Sequence, residues 1–85
     1  MTLYSILCPA LEGRDQELLS YQINIDNYTL AIAKIDADYP DNEDLAIFKA
    51  ELQERLAEEK RQQLRCRIIR DVIADQLAEM PQEAE

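Results

Sequence analysis

The sequence predicts an all-α fold: an antiparallel helical hairpin with coiled-coil-like packing, preceded by a short N-terminal arm and paired as a dimer. Three observations carry that reading. The 85 residues include one Gly and three Pro, too few breakers for a chain of many turns. Between Glu43 and Met80 there is neither Gly nor Pro, and Leu, Ala, Glu, Gln, Lys and Arg, all good helix formers, dominate. Upstream, Leu18, Tyr21, Ile25, Tyr28, Ile32, Ile35 and Tyr39 recur at alternating steps of three and four, the spacing of a heptad seam.

Taken in order, residues 1–14 read as an apolar arm interrupted by Pro9, with Gly13 as a break before the first helix. Residues 15–38 read as helix one, opened by Asp15 as a cap. A strand reading competes there. Tyr21, Ile23 and Ile25 alternate with polar residues, as do Tyr28, Leu30 and Ile32, with Asp26-Asn27 between them as a turn. The alternative fold is therefore a β-hairpin followed by one long helix. Tyr39-Pro40-Asp41-Asn42 is turn chemistry. Residues 43–80 form helix two, capped by Asp41 or Asn42, with Glu43 and Asp44 near its positive end. Glu51 with Arg55, Glu58 with Arg61 and Arg67 with Asp71 are spaced for same-helix ion pairs. Pro81 starts an acidic tail over residues 81–85, expected to be flexible. The whole is one helical domain over residues 1–80.

A hairpin buries one stripe of each helix, and this sequence has more than one. Helix one carries Leu19, Ile23 and Leu30 opposite its seam. Helix two carries Leu64, Ile68 and Val72 on one side and Cys66, Ile69, Ile73, Leu77 and Met80 on the other. The lengths disagree as well, at ~36 Å against ~57 Å for helices rising 1.5 Å per residue. The unmatched end of helix two needs cover, from the arm (Leu3, Tyr4, Ile6, Leu7) or from a second copy. A homodimer is the expectation, with Leu64, Ile68, Ile69, Val72, Ile73 and Leu77 at its interface. The rival is a kink near Gln62-Gln63 that folds helix two back into a three-helix monomer.

Charge narrows the function classes. The net charge of −9 disfavours direct binding to nucleic acid or an anionic membrane. Nine acidic and two basic residues lie between Asp36 and Glu59, and five basic with no acidic ones between Lys60 and Arg70. The basic block (Lys60, Arg61, Arg65, Arg67, Arg70) points several ways around the helix and has no aromatic residue for base stacking. Pairing with acids of a neighbouring helix is its simpler role. The acidic block is the candidate partner-binding surface: Asp36, Asp38, Asp41, Glu43 and Asp44 around the tip, then Glu51, Glu54 and Glu58 along helix two. Such a surface suits a protein with a basic face.

Other chemistries find little support. Asp36 to Asp44 alternates acids but has Pro40 within it and no Gly for a calcium loop. The chain has no His, no phosphate-binding Gly loop and no nucleophile elbow, and nothing near Cys8 in sequence would activate it as a nucleophile. With two cysteines so far apart, a zinc site is excluded and a reduced pair is the expectation. No apolar run approaches ~18 residues, the length that would span a membrane. The N-terminus lacks the basic start of a signal peptide, so a cytoplasmic location is expected. The reading is a non-enzymatic protein–protein interaction module without cofactor or metal, a small acidic adaptor or inhibitor. The alternatives are a nucleic-acid-mimicking decoy of a DNA- or RNA-processing enzyme and a structural or assembly subunit.

Overall fold

The computed structural model describes residues 2–80, so the tail at residues 81–85 lies outside it. Its two helices, α1 (Leu3–Asp38) and α2 (Glu43–Ala78), form an antiparallel hairpin 63 Å long and 17 × 16 Å across. The residues weighed as β-hairpin strands are helical throughout, because the three-four seam buries Ile25 and Ile35 on one line. Burial of a continuous stripe outweighs the local preference of Tyr and Ile for strands.

The largest difference from the sequence reading is at the N-terminus. The arm and helix one are a single helix that starts at Leu3, not at Asp15. Thr2 caps it: the Thr2 hydroxyl accepts the Ser5 amide at 3.2 Å, and the Ser5 hydroxyl accepts the Thr2 amide at 3.2 Å. This reciprocal box satisfies donors that a helix start leaves open. Pro9 sits inside α1 on an exposed position, where it lacks an amide to donate to Ser5 but its ring meets solvent. Gly13 also continues the helix, and its φ is not positive. Asp15, expected as a cap, lies mid-helix.

With α1 reaching back to Leu3, both helices have 36 residues. The length mismatch therefore disappears, and with it one argument for a second copy. The seam extends too: Tyr4, Leu7, Leu11, Arg14 and Leu18 are half-buried and continue the steps of three and four. Tyr39 is the exception at the other end. It is the C-cap, 51% exposed, donating its amide to the Ile35 carbonyl at 2.9 Å.

The turn leads directly into α2. Asn42, not Asp41, is the cap, and its side-chain oxygen accepts the Leu45 amide at 3.1 Å. Glu43 and Asp44 occupy the first turn as expected. The helix runs unbroken through Gln62 and Gln63, so the chain does not fold back into a third helix. Leu52 is buried and Leu45 and Leu56 half-buried toward α1, while Phe48 remains 46% exposed.

Polar pairs fix the register. Lys49 donates to Asp36, Gln63 to Gln22 at 2.9 Å and Arg70 to Asp15 at 2.8 Å. The residue numbers in each pair have the same sum, as a constant antiparallel register requires. Asn24 donates to Glu59 at 2.6 Å close to this line. The same register sets the first turns of α1 against the last turns of α2. The core is thin: among the described residues, Ile25, Ile35, Leu52 and Cys66 are buried, and no large side chain is completely enclosed.

Candidate interaction surface

All eight carboxylates of the expected partner-binding surface are exposed. The turn places Asp41 beside Glu43 and Asp44, which open α2 at the tip of the rod. One turn apart along α2, Glu51, Glu54 and Glu58 follow steps of three and four and so lie on one side of the helix. With Arg55 and Arg61 they line a shallow, open depression.

Ion pairing divides the eight. Asp36 is held by Lys49 across the hairpin, and Asp38 by Lys34 at 2.7 Å within α1. Glu58 accepts Arg61 at 2.6 Å and the Gln62 amide at 2.7 Å. The hydrogen bond from Gln62, followed by that from Arg61, holds the Glu58 carboxyl below its ordinary pKa. Asp41, Glu43, Asp44, Glu51 and Glu54 make no side-chain hydrogen bond or ion pair with any described residue. Of the three same-helix pairs that spacing offered, only Glu58 with Arg61 is closed. Glu59, which follows the row in sequence, turns into the seam toward Asn24 instead.

The basic block divides similarly. Arg70 turns inward to Asp15 and also reaches Asp71 at 3.4 Å; the hydrogen bond to Asp15 is the chief cause of its raised pKa. This is the register-setting role expected of the block, and sequence spacing did not reveal Asp15 as its partner. Arg61 is taken by Glu58, while Lys60, Arg65 and Arg67 pair with no described residue.

The six residues assigned to a dimer interface fall on two sides. Ile73 and Leu77 are half-buried on the side of α2 that carries Cys66 and Arg70 against α1. Leu64, Ile68, Ile69 and Val72 remain 59%, 57%, 44% and 54% exposed. On α1, Leu19, Ile23 and Leu30 form the exposed stripe expected opposite the seam, at 63%, 52% and 67%. Sequence reasoning missed two further exposed apolar residues near these helix ends, Leu3 and Ile6 of α1, because it placed them in a covering arm.

Both cysteines are free: Cys66 is buried, its thiol directed to the Arg14 carbonyl at 3.6 Å, and Cys8 is half-buried. Among the described residues, no group of three His, Cys, Asp or Glu side chains is arranged to hold a metal ion. Neither described helix is long and apolar enough to cross a membrane. No family model, no curated protein and no solved structure matches the chain.

Proposed function

We propose that this chain is a non-enzymatic protein–protein interaction module, an acidic adaptor or inhibitor that docks its tip and the first half of α2 on a basic protein surface. The observation that supports it is the set of exposed, unpaired carboxylates Asp41, Glu43, Asp44, Glu51 and Glu54 on a stiff helical rod. Carboxylates already paired within the fold would have to break those contacts to bind, whereas these five are free to meet cations. Fixed spacing along a helix also limits the entropy lost on docking. The location that suits such a partner is the cytoplasm, and the shallow depression lined by Glu51, Glu54 and Glu58 offers no enclosed pocket for a substrate.

A second reading rests on the row itself. Glu51, Glu54 and Glu58 project at regular spacing along one side of a stiff rod, as phosphates do along a strand, which suits a partner whose basic surface is a nucleic-acid channel. In that case the protein is a decoy.

The experiment is affinity capture from the native cytoplasm on the immobilised protein, beside a variant carrying Asp41→Asn, Glu43→Gln, Asp44→Asn, Glu51→Gln and Glu54→Gln. A partner retained by the wild type and lost by the variant supports the acidic surface. Release by moderate salt and competition by duplex DNA single out the decoy. A partner held equally by both proteins overturns the assignment to these carboxylates.

A further inference from the structure

The second half of α2 carries an apolar ridge on the side away from α1, made of Leu64, Ile68 and Val72 at steps of four. Its charges are ordered. Lys60 and Arg67 precede or flank its centre on one edge, and Asp71 and Asp75 continue that edge, at steps of seven, four and four. Lys60, Arg67 and Asp75 make no ion pair with any described residue, and Asp71 has only the 3.4 Å contact with Arg70.

We infer that this face binds a second copy of the chain, with the two α2 helices antiparallel about a two-fold axis at Ile68. The pattern is self-complementary in that arrangement. Ile68 meets its own equivalent, and Leu64 meets Val72 of the second copy. A two-fold axis perpendicular to the helix pair brings like edges together. Arg67 therefore comes to the level of Asp71 of the second copy, and Lys60 to that of Asp75, each within one helical turn. Parallel pairing would bring unlike edges together and set Lys60 and Arg67 against Arg61 and Arg65 of the second copy, which repel. Charge thus selects both the occupant and its direction. The thin core gives the pairing a physical purpose, since small domains commonly depend on association for stability.

The inference does not rest on the acidic docking surface. In this arrangement the end of α2 in the second copy reaches the level of Glu58. Glu51, Glu54 and the tip stay uncovered, and the two tips project in opposite directions.

Sedimentation across a concentration series tests it, with circular dichroism to establish that each variant is folded. The wild type is expected to dimerise, and Ile68→Glu to be monomeric with unchanged helicity. Lys60→Glu with Arg67→Glu should weaken the dimer at least about tenfold, and adding Asp71→Lys with Asp75→Lys should recover most of that loss. Oxidation separates the directions: Ile68→Cys should form an inter-chain disulfide well above the wild-type background, and Val72→Cys should not. A wild type that stays monomeric at high concentration overturns the inference and leaves the ridge to a different protein. So does a dimer untouched by Ile68→Glu, which places the contact elsewhere, for instance on Leu19, Ile23 and Leu30. Equal disulfide yields at positions 68 and 72 overturn the antiparallel direction.

Discussion

The first half of α2 keeps its leucines inside and most of its carboxylates outside; the second half also buries apolar residues in the seam but leaves a second apolar row outside. Before Gln62, Leu45, Leu52 and Leu56 face α1 while Glu51, Glu54 and Glu58 face water. After it, Gln63 and Arg70 join Cys66, Ile73 and Leu77 in the seam, and Leu64, Ile68 and Val72 are left outside. The seam of the first half is held by transfer of apolar surface out of water, which is non-directional. Both halves add directional contacts, Lys49 to Asp36 and Asn24 to Glu59 in the first and Gln63 to Gln22 and Arg70 to Asp15 in the second, which fix register but contribute little at this exposure. One helix thus carries two surfaces: a seam along both halves that holds the hairpin shut and in register, and an apolar ridge on the outside of its second half.

Truncating a leucine from each half breaks the comparison most directly. Leu52 is 6% exposed, and Leu52→Ala should destabilise the protein by about 2–4 kcal/mol, as for other buried leucines. Leu64 is 59% exposed, and Leu64→Ala should change stability by less than about 0.5 kcal/mol at concentrations that keep the chain monomeric. Urea denaturation of both variants at one low concentration decides it. Equal losses would mean that the division between the halves has no energetic content.

Smaller effects sharpen the contrast at the two ends of the rod. A methyl group added at Gly13 meets nothing within 4 Å, and the backbone there is already helical. Gly13→Ala should therefore raise stability by about 1 kcal/mol, the difference in helix propensity between the two residues. At the tip, Asn42→Ala removes the acceptor for the Leu45 amide and should lower stability by about 1 kcal/mol. Thermal melts of the two variants should shift in opposite directions. A destabilising Gly13→Ala would mean that α1 does not run as a regular helix through that position.

The tip-proximal part of the fold was legible because local and global signals agree there. The Pro-Asp-Asn turn, the acidic first turn of α2 and the seam from Leu18 to Ile35 all specify the same hairpin. The open end was misread because Pro9 and Gly13 are individually strong breakers, at about 3 and about 1 kcal/mol in a helix interior, yet the helix continues through both because the seam goes on being buried beyond them. Tyr4, Leu7 and Leu11 already had heptad spacing, and Thr2 with Ser5 already offered a cap. Arg14 obscured the pattern by placing a charge at a seam position. From that one misplacement came the false length mismatch. The eight carboxylates were legible as exposed, but not which of them would be paired. Asp36 with Lys49 and Arg70 with Asp15 are contacts between helices, and they follow only once the register is known.

The finest test concerns the one paired carboxylate in the acidic row. Gln62 and Arg61 favour the charged form of Glu58 in the folded protein, so its folded pKa lies below the ordinary 4.5. A depressed carboxylate stabilises the fold at pH values above its unfolded pKa, and that contribution is lost as pH falls through the lower folded value. The melting temperature of the wild type should therefore exceed that of Glu58→Gln by a small, constant margin from neutral pH down to about 5. Below that the margin should shrink toward zero. Gln62→Ala should remove part of the pH-dependent margin, because its hydrogen bond is the largest single cause of the shift, followed by the hydrogen bond and the charge of Arg61. A margin that persists unchanged into acid would mean that Glu58 contributes through its packing or helix propensity rather than its charge.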